Sequence, residues 1–274
     1  MAAKLSDVNN GIVVVKIGGA AVDDRAAAYR LMRQVARCHE SGMRMVLVHG
    51  GGARLTKLAA DLGLNAHFVK GRRVTDDGLI EAAKMVFAGG VGSDLAAAAV
   101  RAGVPAVALS GVAAGLITVS KRPVRDGIDY GWVGDVERVE GLVLNVLLAG
   151  GLVPLVASLG VDQIGNIYNI NADTVACALA VNLKAERLIM LTESDGVLRD
   201  VNDPKSRIRQ LNAAALRAGN IDFAVSGGML PKLESLAAAV TQGVGSVHVA
   251  SWRQEDVLTT CLSSSANEIG TRIV

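Results

Sequence analysis

Short apolar runs that end in glycine alternate along this chain with longer stretches of helical periodicity. The first run, Ile12–Ile17, is rich in β-branched residues and stops at Gly18 and Gly19, which predicts a buried strand followed by a tight turn. Residues 24–41 carry apolar side chains at helical spacing and end before Gly42, a residue type favoured at helix C-termini. The opening of the chain therefore predicts a strand, a glycine turn and a helix.

The same alternation continues to the end of the chain. Further strands are predicted at residues 43–49, 106–109, 117–119, 153–157, 187–191 and 246–250, and further helices at 54–62, 77–87, 94–102, 141–149, 173–182, 213–218 and 232–242. Strands joined through helices indicate crossover connections, and hence a mainly parallel sheet with helices on both faces. We therefore predict an α/β fold, a three-layer αβα sandwich with a mainly parallel central sheet.

Two segments interrupt this regular alternation. Residues 127–140 have the pattern of a β-hairpin inserted in the first half of the chain. Residues 160–169 contain the turn-like stretch QIGN. We place a boundary between two predicted lobes there, with residues 1–165 in the N-terminal lobe and residues 166–274 in the C-terminal lobe.

The composition excludes several classes of protein. Of the 274 residues, 51% are hydrophobic and 20% are charged, which excludes a disordered chain and favours a sizeable core. Aromatic residues make up 3% of the chain, and Lys and Arg form no block, so we expect no binding to nucleic acid. Apolar stretches of 18 residues without a charge or glycine are missing, so we expect no association with a membrane.

Cysteine usage and the first residues predict the compartment. Cys38, Cys177 and Cys261 are far apart and form no CxxC pair, so neither a disulfide framework nor a zinc site is expected. The polar opening MAAKLSDVNN has no apolar run of the kind found in signal peptides. We therefore expect a soluble protein in the reducing cytoplasm.

Three glycine loops follow predicted strands or lie close to a predicted helix. They are KIGG at 16–19, HGGG at 49–52 and SGG at 226–228. In parallel sheets, ligands bind beyond the carboxyl ends of strands, where glycines expose backbone N–H groups to anions. A single glycine loop can also be an ordinary turn, but three of them favour a phosphate or carboxylate site.

Two lysines stand beside these loops. Lys16 lies inside an otherwise apolar strand and directly before two glycines, so its ammonium group would point at an anion bound there; alternatively, it extends from the strand end into solvent. Lys232 follows a glycine loop at a predicted helix start, where the helix dipole disfavours a cation unless an anion is also bound. Taken alone, the position of Lys232 favours a solvated surface lysine.

Polar residues with other chemistry occur in two further segments. Alternation would place Asn169, Asn171 and Asp173 on one face at a strand-to-helix turn, although Asp173 could instead cap the helix that follows. Residues 71–76 form a compact basic loop in which an arginine could bind a carboxylate through two hydrogen bonds, although surface arginines are common.

No residue stands out as a catalytic base. His49 has no paired carboxylate nearby in the sequence, and we interpret it as a structural hydrogen-bonding residue. The signatures GxxxxGK[ST] and GxGxxG are missing, which argues against a P-loop or a dinucleotide-binding frame. A carboxylate nucleophile is already ionised at pH 7 and needs no base. Two lysines and glycine amides would suffice for phosphoryl transfer, which depends mainly on positioning and charge neutralisation.

Six motifs in this order resemble those of the amino-acid kinase family, and within it the branch that phosphorylates N-acetylglutamate. They are KIGG (16–19), VLVHGGG (46–52), GRRVTD (71–76), NINAD (169–173), LTESDGVL (191–198) and SGGMLPK (226–232). GRRVTD together with NINAD favours this branch over the other carboxylate, carbamate and uridylate kinases of the family. The late ASWR (250–253) and GTRI (270–273) resemble its short, enterobacterial-type form.

The resemblance implies a reaction, cofactors and a division of labour between the lobes. The reaction is ATP-dependent phosphorylation of the side-chain carboxylate of N-acetyl-L-glutamate to N-acetyl-L-glutamyl 5-phosphate, the second step of arginine biosynthesis. ATP would bind with Mg²⁺, the metal held mainly by the nucleotide phosphates and not by a protein metal site. The N-terminal lobe would bind the acyl amino acid and provide dimer contacts, and the C-terminal lobe would bind the nucleotide.

The resemblance also implies roles for individual residues. Lys16 and Lys232 would stabilise the transferring phosphoryl group, and Asp173 would hold both lysines in position. The substrate-binding residues would be Gly51, Gly52, Arg73 and Asn169, with Arg73 and Asn169 on the α-carboxylate and the acetamido group. The phosphate- and nucleotide-binding residues would be Gly18, Gly19, Glu193, Ser194, Asp195, Gly196, Val197, Leu198, Ala224, Val225 and Ser226.

Three departures from the family pattern bear on the substrate. Glu193 stands where the resemblance leads us to expect aspartate, GGVGS (89–93) replaces GGxVNK, and SGVAAG (110–115) replaces TGKD. The last two changes remove polar groups near the substrate, so N-succinylglutamate or an aminoadipate derivative stays open as the substrate. A catalytically silent ligand-binding regulator on the same fold is a further alternative, against which the retention of both lysines and Asp173 argues.

The beginning of the chain leads to an expectation about assembly. Arginine-inhibited members of the family carry an extra N-terminal helix that joins dimers into a hexamer. About eleven residues precede the first predicted strand here, too few for that helix and its linker at the rise of an α-helix. We therefore expect a homodimer that is insensitive to arginine.

Overall fold

A computed structural model of the chain describes residues 11–69, 71–200, 202–220, 229–263 and 265–274. The strands are β1 (Ile12–Ile17), β2 (Arg44–His49), β3 (Phe68–Val69), β4 (Arg72–Arg73), β5 (Ala106–Ser110), β6 (Ile117–Lys121), β7 (Gly134–Val139), β8 (Val153–Ala157), β9 (Leu159–Val161), β10 (Ile167–Asn169), β11 (Arg187–Thr192), β12 (Val197–Leu198), β13 (Arg207–Ile208), β14 (Gln210–Leu211), β15 (Ser246–Ser251) and β16 (Thr271–Ile273). The helices are α1 (Gly19–Asp23), α2 (Arg25–Glu40), α3 (Gly52–Asp61), α4 (Asp77–Lys84), α5 (Gly92–Arg101), α6 (Leu142–Ala149), α7 (Ala172–Asn182), α8 (Ala213–Arg217), α9 (Met229–Thr241) and α10 (Val257–Cys261).

The central sheet has eight strands in the order β14-β16-β15-β11-β1-β2-β8-β5. Neighbouring strands run parallel except for β15 and β16, which are antiparallel. β1 lies inside the sheet, where Val15 is in register with Leu47 of β2 and Ile189 of β11. The prediction of a mainly parallel sheet is confirmed.

Alternate residues of the central strands pack on opposite faces of this sheet. On β1, Val13, Val15 and Ile17 join a core formed with α1, α2, α3, α4, α5 and α10. Val14 joins a second core formed with α6, α7, α8 and α9. Because both faces are covered by helices, the strands are apolar throughout and not alternating in polarity. The predicted three-layer arrangement is confirmed.

A four-stranded sheet, in the order β10-β9-β6-β7, lies beside the central one. The predicted hairpin over 127–140 was wrong in extent, because β7 pairs antiparallel with β6 and the hairpin therefore begins at Ile117. Its two strands are separated by an irregular connection, which the local pattern of polar residues did not reveal. β9 pairs with β10, so the boundary drawn between 165 and 166 falls in their connection. The division into two lobes stays a prediction.

α4 continues into α5 through a π-helical segment, Met85–Val91. The sequence predicted two helices with a break near the glycines at 89–90, but one helical run extends over 77–101. By length and composition this run could cross a membrane, yet it buries Leu79 and Leu95 in the core of the fold. Part of its apolar surface therefore packs in the core of the fold.

Candidate active site

Asp173 joins the two lysines that the sequence singled out. Lys16 Nζ lies 3.0 Å from Asp173 Oδ1, and Lys232 Nζ lies 3.2 Å from Oδ2. The lysines come from β1 and α9, and the carboxylate comes from the first turn of α7. Three elements distant in sequence thus meet at one carboxylate, and the three side chains are only 14%, 22% and 27% exposed for Lys16, Lys232 and Asp173.

Asn171, and not Asp173, caps α7. Its Oδ1 accepts a hydrogen bond of 2.7 Å from the backbone N–H of Asp173. Asn171 therefore provides the side-chain acceptor that a helix N-terminus requires. The carboxylate of Asp173 is left free to pair with the lysines, so the capping alternative for Asp173 was wrong.

The charges at this centre keep the carboxylate ionised. Burial by itself would raise the pKa of Asp173, but the adjacent ammonium groups of Lys16 and Lys232 outweigh burial and lower it. A carboxylate with a lowered pKa is a poor proton acceptor at neutral pH. Two lysines against one carboxylate also leave one net positive charge, which favours an anion beside them.

The turn after β1 contains one glycine packed against protein and one that faces open space. A Cβ on Gly18 would lie 2.8 Å from the carbonyl oxygen of Leu191 in β11, so only glycine fits there. Around Gly19, which begins α1, no neighbouring atom of the described residues lies within 4 Å of such a Cβ. Gly18 thus fixes the turn against the neighbouring strand, and Gly19 leaves room for a ligand.

The turn after β2 repeats this arrangement. A Cβ on Gly51 would lie 2.9 Å from Phe87 Cδ1 and 3.0 Å from Val91 Cγ2, both in the π-helical segment. Gly52, the first residue of α3, would carry its Cβ into open space. The π-helical segment therefore packs against one side of the glycine turn. The other side of the turn faces a cleft. π-helical segments inside α-helices are frequent at functional sites.

Arg73 carries a buried positive charge with an open hydrogen-bonding position. Its Nη2 donates to the carbonyl oxygen of Gly52 at 3.0 Å and to Thr56 Oγ1 at 2.7 Å, and its guanidinium lies 4.5 Å from the centre of the Phe68 ring. Nη1 is buried and has no hydrogen-bond partner in the described part of the chain. Burial lowers the pKa of Arg73. A carboxylate is the natural partner for such a group.

Asn169 lies at the end of β10, on the same cleft. Its Nδ2 donates to Thr75 Oγ1 at 3.1 Å, and its backbone N–H donates to the carbonyl oxygen of Trp132. The second bond holds the backbone, and the first orients the side chain from one side, so the amide is presented in a defined direction.

These groups surround one cleft of about 310 Å³. The predicted residues that line it are Lys16, Gly19, Gly51, Gly52, Arg73, Asn169 and Asp173. The sequence missed Phe68 and Phe87, which form apolar walls. Nothing in their local pattern distinguishes them from core residues, because only the tertiary arrangement turns them toward the cleft.

The residues predicted to bind nucleotide form a separate loop at the carboxyl end of β11. Glu193 is exposed and pairs with Arg253 at 3.3 Å, and Asp195 accepts from Gln254 Nε2 at 3.3 Å. Ser194 Oγ lies 3.3 Å from the hydroxyl of Thr192. Because Gly18 packs against the end of β11, this loop begins beside the first glycine turn.

The second part of this loop is fixed by the core. Gly196 has a φ of +120°, which favours glycine, and Val197 is buried with its N–H donating to Thr271 Oγ1 at 2.8 Å. Leu198 is partly buried on β12. Val197 can therefore face a ligand only through its backbone. Residues 224–226, predicted as Ala224, Val225 and Ser226, lie outside the described residues.

His49 does not serve as a base in this arrangement. It is fully buried, and burial lowers its pKa to about 4, so the ring is neutral at physiological pH. Its Nδ1 lies 3.0 Å from the carbonyl oxygen of Gly50. In the described ranges, no three His, Cys, Asp or Glu side chains are grouped so that they could hold a metal ion.

Known proteins resemble this chain over most of its length. The model of the amino acid kinase family matches residues 11–251. The chain is 43% identical over 255 residues to an acetylglutamate kinase of Myxococcus xanthus, covering 89% of this chain and 83% of the relative. It is 38% identical to an acetylglutamate kinase of Bacteroides fragilis, covering 96% of each.

A solved structure shares the fold. N-acetylglutamate synthase from Neisseria gonorrhoeae, complexed with coenzyme A and N-acetyl-glutamate, superposes with a TM-score of 0.85 at 27% identity. The match covers 98% of this chain but 61% of the synthase, so the chain spans about three-fifths of that protein.

Proposed function

Because this chain belongs to the amino acid kinase family and, within it, to the acetylglutamate kinases, we propose that it transfers the γ-phosphoryl group of ATP to the side-chain carboxylate of N-acetyl-L-glutamate. The observation that carries the proposal is the pairing of Lys16 and Lys232 with a single carboxylate, Asp173, at the edge of a cleft. The reaction is the one that supplies an activated acyl phosphate to arginine biosynthesis.

The residues present fit a bound nucleotide with its metal ion. Open space beside Gly19 and Gly52 leaves the backbone accessible to phosphate oxygens, and the net positive charge around Asp173 favours them. When bound, Mg²⁺-ATP supplies the γ-phosphoryl group, whose bond to the β-phosphate oxygen breaks as a carboxylate oxygen of the substrate bonds to phosphorus. Mg²⁺ would be held mainly by the phosphates.

The two lysines neutralise the charge that develops during the transfer. Lys16 lines the cleft at the end of β1, and Lys232 extends from α9, so they approach the carboxylate of Asp173 from two different elements. Asp173 is a positioning residue, because its lowered pKa makes proton transfer unfavourable while its two oxygens hold both ammonium groups. No general base is needed, since the attacking carboxylate is already ionised.

The substrate would bind on the opposite wall of the cleft. The open Nη1 of Arg73 would pair with the α-carboxylate, and Asn169 would contact the acetamido group. Backbone amides of Gly51 and Gly52 would face the carboxylate that is phosphorylated. The loop 193–198, together with 224–226, would contact the rest of the nucleotide.

Assembly and location are part of the same proposal. We expect a homodimer in the cytoplasm, without inhibition by arginine. Cys38, Cys177 and Cys261 are free thiols, which suits a reducing compartment. Light scattering of the purified protein, with and without arginine, measures the state of assembly, and a hexamer would contradict this expectation.

Trapping of the acyl phosphate with hydroxylamine tests the activity. Purified protein and Mg²⁺-ATP are supplied separately with N-acetylglutamate, N-succinylglutamate, glutamate, 2-aminoadipate and N-acetyl-2-aminoadipate. We expect hydroxamate with N-acetylglutamate. If hydroxamate forms only with a different acid, the phosphoryl-transfer reaction is correct and the proposed substrate is wrong. The residues to re-examine would then be those of the cleft wall near Phe87. Binding of ATP without product from any acid would favour a silent regulator.

A further inference from the structure

All three guanidinium nitrogens of Arg54 form ion pairs or hydrogen bonds with neighbouring helices. Nε pairs with Asp23 Oδ1 at 2.7 Å, Nη2 donates to the carbonyl oxygen of Val22 at 2.8 Å, and Nη1 pairs with Asp94 Oδ2 at 2.5 Å. Arg54 belongs to α3, Asp23 and Val22 end α1, and Asp94 lies in the first turn of α5. One side chain therefore connects three helices.

Two of these helices begin at the open glycines of the site. α1 starts at Gly19, and α3 starts at Gly52, two residues before Arg54. α1 has only five residues, and its N-cap residue, Gly18, has no side chain that could cap the helix. Its position relative to α3 therefore depends on tertiary contacts, among which the contacts with Arg54 are polar and directional.

The charges and the shape of the side chain suit this role. Burial would lower the pKa of Arg54, but the hydrogen bonds and charges of Asp94 and Asp23 raise it overall. The Arg54 and Asp23 side chains are 27% and 29% exposed. A planar guanidinium can hold three acceptors in fixed directions, whereas a lysine ammonium on a flexible stem cannot fix three helices in the same way.

We propose that Arg54 is a positioning residue that sets the separation of the two glycine turns, and with it the alignment of the phosphate-binding and carboxylate-binding amides. Arg54 does not line the cleft itself, although its neighbour Ala53 does. Its effect on the reaction is therefore indirect. The inference rests on the proposed function, because it assigns the two turns to the two reacting groups.

Kinetics of an Arg54→Met variant give the first test. Misalignment of reacting groups by a fraction of an ångström to about 1 Å lowers rates by up to about 100-fold, so we expect kcat to fall by about tenfold, and by more than any KM rises. Asp23→Asn should lower kcat by a smaller factor and add little to Arg54→Met, since both remove the same link. Lys57→Met, in the same helix and in an exposed pair with Asp61, is the matched control.

Hydrogen exchange of the same variants gives a readout independent of activity. In Arg54→Met, amides of residues 19–23 should exchange faster along with those of 52–56, whereas Lys57→Met should leave 19–23 unchanged. Arg54→Lys serves as the milder change if Arg54→Met does not fold. Unchanged exchange in 19–23, or an unchanged kcat in folded Arg54→Met, would overturn the proposal. If the wild-type protein phosphorylates no acid, the proposed function fails. The exchange experiment still decides whether Arg54 holds the two glycine turns in position.

Discussion

The cleft around Asp173 and the loop after β11 are built in opposite ways. In the cleft, partly buried charges pair at 3.0 and 3.2 Å, and Arg73 is held by hydrogen bonds to its neighbours. In the loop, Glu193 and Asp195 are held by contacts of 3.3 Å near the surface. Preorganised charge accelerates a reaction because it needs no rearrangement in the transition state. The cleft is therefore suited to chemistry, whereas residues 193–195, the more exposed first part of the loop, are suited to adjustable binding.

Lys232→Ala should produce the largest effect. One charged contact to the transition state is worth roughly 3 kcal/mol, so we expect kcat to fall by about 100-fold, while both KM values change much less. Steady-state rates with N-acetylglutamate and ATP measure this, with Lys57→Ala as a control on an exposed lysine. An unchanged kcat would remove Lys232 from the mechanism and would weaken the contrast between cleft and loop.

Arg73→Ala should act on binding more than on turnover. A hydrogen bond to a charged group is worth about 1.5–3 kcal/mol, so the KM for N-acetylglutamate should rise by about 10- to 100-fold, with a smaller change in kcat. The KM for ATP should stay nearly constant, because we propose that Arg73, which lines the cleft, binds the acyl amino acid and not the nucleotide. A selective rise in the KM for ATP would place the nucleotide, and not the acyl amino acid, beside Arg73.

The pair Gly18→Ala and Gly19→Ala separates packing from ligand access. The Cβ in Gly18→Ala meets a backbone carbonyl at 2.8 Å, so we expect a melting temperature lower by about 5 °C. Gly19→Ala places a methyl group in open space inside a helix, so stability should be kept, while activity should fall by about tenfold through crowding of the phosphate. Full activity in folded Gly19→Ala would show that no ligand approaches there.

Glu193→Gln should produce the smallest effect. The Glu193 side chain is 63% exposed, and its pair with Arg253 is long, so the pair contributes little to the arrangement of the loop. We expect the KM for ATP to change by less than about threefold and kcat to stay the same. A change above about tenfold would mean that the loop closes on the nucleotide and becomes as ordered as the cleft.

Local patterns were sufficient for the main strands and for the charged residues of the site. Ile12–Ile17 is a buried strand as predicted, because a β-branched run that ends in glycines strongly favours a strand over a helix. Lys16 was identified because it lies inside an apolar strand, and Asp173 because it ends a run of alternating polar residues at a strand-to-helix turn. Local patterns failed for 77–101, where glycines predicted a break but the π-helical segment Met85–Val91 joins the two helices into one continuous run.

The sequence by itself determined the fold class, the order of the main strands and helices, and the residue types available for chemistry, since these follow from periodicity and from the cost of burying charge. Only the tertiary structure decided that Asn171 caps α7 and frees Asp173, that Phe87 supports Gly51, and that Arg54 connects three helices. Most of these contacts join residues on different elements. The cap of α7 instead depends on which of two neighbouring side chains, Asn171 or Asp173, occupies the capping position. Their geometry depends on how strands and helices pack, which no local pattern of residues specifies.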